Sequence, residues 1–120
     1  MTYANVRFQT NPGMSIRCLL DTGSSVNLIR YDTLSLIEAK GDMKPVKSPT
    51  TVYGFNDAKT VIDREIRLNC NVGPKTFELI FYVIPANVMT TQKAILGRPA
   101  LEKLGIWHVL TKFCQERLQQ

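Results

Sequence analysis

Short apolar blocks alternate with turn-forming residues along nearly the whole chain, a pattern of many strands and not of amphipathic helices. The predicted class is all-β and mainly antiparallel. Residues 6–8 (VRF), the turn residues Asn11, Pro12 and Gly13, and residues 15–20 (SIRCLL) predict an N-terminal hairpin. Residues 26–30 (VNLIR) predict another strand. Residues 31–49, with Gly41, Pro45 and Pro49, predict a long connection in which 31–40 can form a short helical turn. In residues 50–63 two β-prone arms flank Gly54 to Lys59, a composition suited to a hairpin tip. Residues 65–70 and 75–85 predict a further antiparallel pair about the turn Asn71 to Pro74. Residues 94–105 (AILGRPALEKLG) end a strand at Ile95-Leu96-Gly97 and open a helix, where Pro99 fits the first turn and Gly105 the position past the end. Residues 106–110 (IWHVL) predict a last strand, and the polar tail a frayed or weakly helical end.

Composition narrows the class without naming a chemistry. At 120 residues the chain is sized for a single domain over 1–120, with no room for a second lobe of similar size. With 44% hydrophobic and 21% charged residues it reads as an ordinary soluble globule. No apolar stretch is long enough to span a bilayer, so no membrane partner is expected. Met1 leads straight into alternating residues and not into a secretory leader, which favours the cytosol. The net charge of +5 comes from scattered Lys and Arg and not from a block, so nucleic acid is expected only as an incidental partner. Cys18, Cys70 and Cys114 form no CxxC pair and have no histidine cluster beside them. They are expected to be reduced, mostly buried thiols, and neither a metal nor another cofactor is expected. His108 likewise has no companion at ligand spacing and reads as structural.

Candidate chemistry begins where the apolar run Cys18-Leu19-Leu20 breaks off at Asp21-Thr22-Gly23, before apolar residues resume at Val26. Alone, such an Asp can be turn chemistry, because its carboxylate accepts local backbone hydrogen bonds and glycine allows the tight bend. The flanking pairs Leu19-Leu20 and Leu28-Ile29 predict instead that the acid is drawn into a largely buried place, which is costly unless it is paired or hydrogen-bonded. A second apolar pair running into glycine, Ile95-Leu96-Gly97-Arg98, follows about seventy residues later. Alone it is an ordinary strand-to-helix junction.

LLDTGSSVNLI (19–29), YGFNDAKT (53–60) and AILGRPALEKLG (94–105) resemble, in this order, the active-site loop, flap and terminal helix of retropepsins, the aspartic proteases of retroviruses and long-terminal-repeat retrotransposons. The resemblance spans roughly residues 5–112 and leaves a poorly ordered tail at 113–120. The long connection before the flap and the ILGRPAL form of the helix motif resemble the Ty3/gypsy type of retrotransposon protease more than a lentiviral enzyme. The resemblance implies a closed acid-protease barrel with one short C-terminal helix, active as a two-fold homodimer. It implies an aspartic endopeptidase that cuts a Gag-Pol type polyprotein in the cytoplasm, including within virus-like particles. Asp21 of each chain would be catalytic, Thr22 would tie the two loops together, and Gly23 would let the backbone approach substrate. Ser24 would donate to the outer oxygen of Asp21. Ser24, Ser25, Leu19, Leu28 and Ile95 would line the substrate site, with Gly54, Phe55 and Asn56 at the flap tip. Gly97 and Arg98 would be structural, and Trp107 would anchor the dimer. Many retroviral members pair this arginine with an acid where Ser25 stands here, so that salt bridge is expected to be missing or made elsewhere. Two other readings stand beside this one: a domesticated retropepsin-like dimerisation or binding module without turnover, and a small β-barrel that binds nucleic acid through its positive charge.

Overall fold

The computed structural model describes residues 1–53, 59–86 and 91–105. Strand β1 (Thr2–Phe8) and strand β2 (Ser15–Leu20) form the expected hairpin in a register that sets Val6 opposite Ile16 and Ala4 opposite Cys18. Val6, Phe8, Ile16 and Cys18 all turn inward, as the period of two requires. Strand β3 (Asn27–Arg30) runs directly into helix α1 (Tyr31–Leu36), so residues 31–40 hold a true if short helix and the fold has two α-helices among its described residues, where one was expected. The tip of the first hairpin ends this helix. Thr10 Oγ1 donates to the carbonyl of Ile37 and Asn11 Nδ2 to that of Leu36, which satisfies acceptors the helix cannot use itself.

A 3₁₀ turn (Lys40–Asp42) follows, and strand β4 (Lys44–Tyr53) starts well before the position expected for the hairpin arm. The displaced boundary has a physical cause. Pro45 and Pro49 suggested loop, but β4 is the last strand in the sheet order, and an edge strand tolerates proline. The register against the next strand shifts between Pro45 and Thr50, an irregularity that accommodates them. Strand β5 (Lys59–Val72) is continuous over 14 residues, where two separate strands were expected. A two-residue turn, with Gly73 at φ 56°, joins it to strand β6 (Lys75–Ile84). Strand β7 (Ala94–Leu96) and helix α2 (Arg98–Leu104) match the expected strand-to-helix junction, with Pro99 in the first turn and Gly105 closing the helix at φ 72°. The expected strand at 106–110, with Trp107 and His108, lies outside the described residues, as do the tail and Cys114.

The strands form one mixed sheet in the order β1-β2-β7-β3-β6-β5-β4, and an additional β1–β5 pairing closes six of them into a barrel, with β4 outside the closure. Apolar side chains from both helices and every barrel strand fill the interior, where Phe8 and Phe81 meet edge to face with ring centroids 5.9 Å apart. Cys18 and Cys70 are fully buried free thiols, as expected, and burial pushes both up to about 12.

Candidate active site

Strand β2 ends at Leu20, which lies parallel and opposite Leu96 of β7, and the chain then turns. The Asp21 N–H donates to the Leu96 carbonyl at 3.0 Å, so the first turn residue is still held by the sheet. The turn is closed twice. The Ser24 N–H donates to the Asp21 carbonyl at 3.2 Å, and the Gly23 N–H donates to Asp21 Oδ1 at 2.9 Å. Asp21 and Thr22 are half-buried, and Gly23 and Ser25 are exposed. The expectation of a largely buried acid is therefore corrected for the single chain. Leu19 and Leu28 are indeed buried, at 8% exposure each, but the bend carries the carboxylate off the end of the strand and up to the surface.

Ser24 also departs from its expected role. Its hydroxyl donates to the Val26 carbonyl at 2.6 Å and not to Asp21, because the loop folds that carbonyl back onto the side chain. A hydroxyl has one proton to give, so the bond that would bias Asp21 is not made.

Three contacts fasten the loop to the β7–α2 junction. The Arg98 N–H donates to the Ser24 carbonyl at 2.9 Å, and the Gly97 N–H donates to Asn27 Oδ1 at 2.9 Å. The third is steric: a Cβ on Gly97 would stand 2.2 Å from the Val26 carbonyl oxygen and 2.7 Å from that of Ser24, so only glycine fits. Asn27, 3% exposed, uses its other end as well, with Nδ2 donating to the Ile80 carbonyl of β6 at 3.1 Å. This one side chain joins the loop's exit to two other segments. Sequence reasoning passed over Asn27, although a polar residue between Val26 and Leu28-Ile29 in an apolar run was a usable signal.

Pairing register brings together the residues expected to line the substrate site. Leu19 lies opposite Ile95, and Ile95 opposite Leu28, so the three share one face of the sheet next to the Asp21 turn. Leu28 packs with Ile62 and Ile84, and Val26, Tyr82 and Ile95 border them. Ile62 belongs to β5, so the arm of the β4–β5 hairpin reaches across this same face. Gly54, Phe55 and Asn56, expected at the hairpin tip, lie outside the described residues, as does Trp107. The Arg98 side chain is exposed and, among the described residues, has no carboxylate partner.

A single carboxylate beside an apolar, strand-lined face can accept or donate one proton. Activating a water while protonating a leaving oxygen needs a second group.

No protein-family model matches this sequence, and no curated protein does. Solved structures do match. The chain is similar to the retroviral protease-like domain of Ddi1 from Leishmania major, with a TM-score of 0.61 and 14% identity over 86% of this chain and 72% of that one. It is also similar to EIAV protease complexed with the inhibitor HBY-793, with a TM-score of 0.63 and 18% identity over 87% of this chain and 88% of the other. The fold is that of the retropepsin-like proteases.

Proposed function

We propose that this chain is an aspartic endopeptidase that works as a homodimer, with Asp21 of each copy meeting across a two-fold axis. The observation that carries this reading is the fastened Asp21-Thr22-Gly23 turn, held by β7, α2 and Asn27 beside the apolar face of Leu19, Ile95 and Leu28. A turn held this firmly presents its acid in one geometry, which is what a group shared with a second copy requires. Two carboxylates a few ångströms apart cannot both ionise, so the pair keeps one proton. The ionised Asp21 takes a proton from a water that attacks the peptide carbonyl, and the protonated Asp21 of the other copy gives its proton to the developing oxyanion. Gly23, with no side chain, leaves room for an extended peptide to run close to the turn. The resemblance to retrotransposon enzymes of the Ty3/gypsy type supports a Gag-Pol type polyprotein as substrate and cytoplasmic particles as its setting.

The test is cleavage of a peptide library by the wild type and by Asp21→Asn across a range of pH, with and without a transition-state-mimicking aspartic-protease inhibitor. Cleavage by the wild type should be blocked by the inhibitor and lost, by a factor of about 10³ or more, in the variant. Equal cleavage by both proteins would refute the assignment. A stable dimer that binds peptide and never cleaves it would mark the chain as a binding module without turnover.

A further inference from the structure

The face that carries Leu19, Ile95 and Leu28 continues in both directions along the pairing register. Tyr3 of β1 lies opposite Leu19, and Tyr82 of β6 lies opposite Leu28, so five consecutive strands contribute one row of side chains to this face. The β1 end of the row carries charge. Arg17 precedes Leu19 by two residues and shares its face. Its guanidinium carbon sits 3.8 Å from the centre of the Tyr3 ring. The ring itself is fixed, because Gln92 Nε2 donates to the Tyr3 hydroxyl at 3.3 Å. Arg17 is exposed and Tyr3 half-buried, and the ion pairs among the described residues are Arg30–Asp32 and Arg67–Glu78, so Arg17 has no acid of its own there.

A guanidinium held over an aromatic ring at this distance can still offer N–H groups to a carboxylate, and its contact with the ring lowers the entropy lost on binding one. Asn5 and Ser15, its neighbours on the same face of the hairpin, are uncharged and do not compete. Strand geometry sets the reach. Arg17 lies four residues before Asp21, about 13 Å along the strand at roughly 3.3 Å per residue. An extended peptide with its reacting carbonyl at Asp21 therefore brings a side chain roughly two to four residues away to this cation.

We propose that Arg17, stacked on Tyr3, is a specificity residue that recognises an acidic side chain of the peptide substrate about two to four residues from the bond that is cut. The inference rests on the peptidase reading, since it takes the Leu19–Ile95–Leu28 face as the peptide's path. In a two-fold dimer the same cation would recur on both sides of the cut.

The experiment compares matched peptides carrying Glu or Lys at each of these positions, with the wild type, Arg17→Ala and Arg17→Glu. The expected result is that the wild type favours Glu over Lys by about tenfold in kcat/KM at low salt. The ratio should fall to about one in Arg17→Ala, invert in Arg17→Glu, and shrink in the wild type as salt rises. Unchanged thermal midpoints would show that both variants are folded. A wild-type ratio of one, or a ratio that survives in Arg17→Ala, overturns the proposal. Binding of the same peptides to Asp21→Asn, followed by fluorescence anisotropy, separates the two ideas. A chain that never cleaves but binds with an Arg17-dependent preference for Glu loses the peptidase reading and keeps this one. A chain that cleaves without charge preference does the reverse, and one that neither binds nor cleaves any peptide overturns both.

Discussion

Cys18 and Cys70 face the same interior from β2 and β5, and neither thiol touches the site. Their burial nevertheless has a consequence that can be measured. Desolvation raises each from an ordinary value of 9.0 to about 12, and the nearby Cys70 adds to the rise at Cys18. Between these values the unfolded chain has released the thiol protons and the folded chain has kept them. The unfolded state then binds fewer protons, so stability must fall as pH rises. The contribution is intact below about pH 9 and is lost progressively toward pH 12. Urea unfolding at a series of alkaline pH values should show this loss. The double variant Cys18→Ala/Cys70→Ala should be less stable than the wild type at neutral pH, because of the cavities, but should lose less on alkalinisation. At the site itself, Asp21, Thr22 and Gly23 were legible as residue types in sequence, whereas the direction of the Ser24 hydroxyl was not. A side chain in a tight turn chooses among acceptors separated by a bond rotation, and here the Val26 carbonyl wins at 2.6 Å.

Between elements, Asn27 is a tie that was not among the residues with an expected role. Its two bonds join β3 to the Gly97 turn and to β6, and both partners are backbone groups. Asn27→Ala leaves a backbone donor and a backbone acceptor without their partner, at about 1–3 kcal/mol each. Asn27→Asp keeps the acceptor for Gly97 but turns a carboxylate oxygen toward the Ile80 carbonyl. Both variants are expected to unfold at lower denaturant concentration, and folded Asn27→Asp should lose kcat in peptide cleavage more than it raises KM. The strand pattern was readable wherever the apolar period ran unbroken, as in β1, β2, β6 and the β7–α2 junction, where Pro99 and Gly105 mark both ends of the helix. It failed where local chemistry and tertiary position disagree. Pro45 and Pro49 look like loop and sit in an edge strand, while Arg64, which fell between two expected strands, sits inside the 14-residue β5. Helix α1 was visible only as a possibility, because six residues are too few for a periodic signal and the helix depends on the Thr10 and Asn11 side chains to finish it.

For the whole molecule, the proposed shared dyad, with one Asp-Thr-Gly per chain, would make activity a property of the assembly. Specific activity should therefore fall on dilution through the dimer dissociation constant, and sedimentation velocity at the same concentrations should show the monomer accumulating in step. Activity that stays proportional to enzyme concentration well into the monomer range would contradict a shared dyad. The fastening of the Asp21 turn also has a consequence in time. The turn is made early in the chain, but its anchors, the Leu96 carbonyl, the Gly97 N–H and the Arg98 N–H, are made some seventy residues later. Contacts so distant along the chain cannot form until both segments have been made. On a ribosome, the acid therefore stays unanchored until β7 and the start of α2 have left the exit tunnel, so a polypeptide ending before Arg98 lacks the hydrogen bonds that hold the Asp21 turn in place.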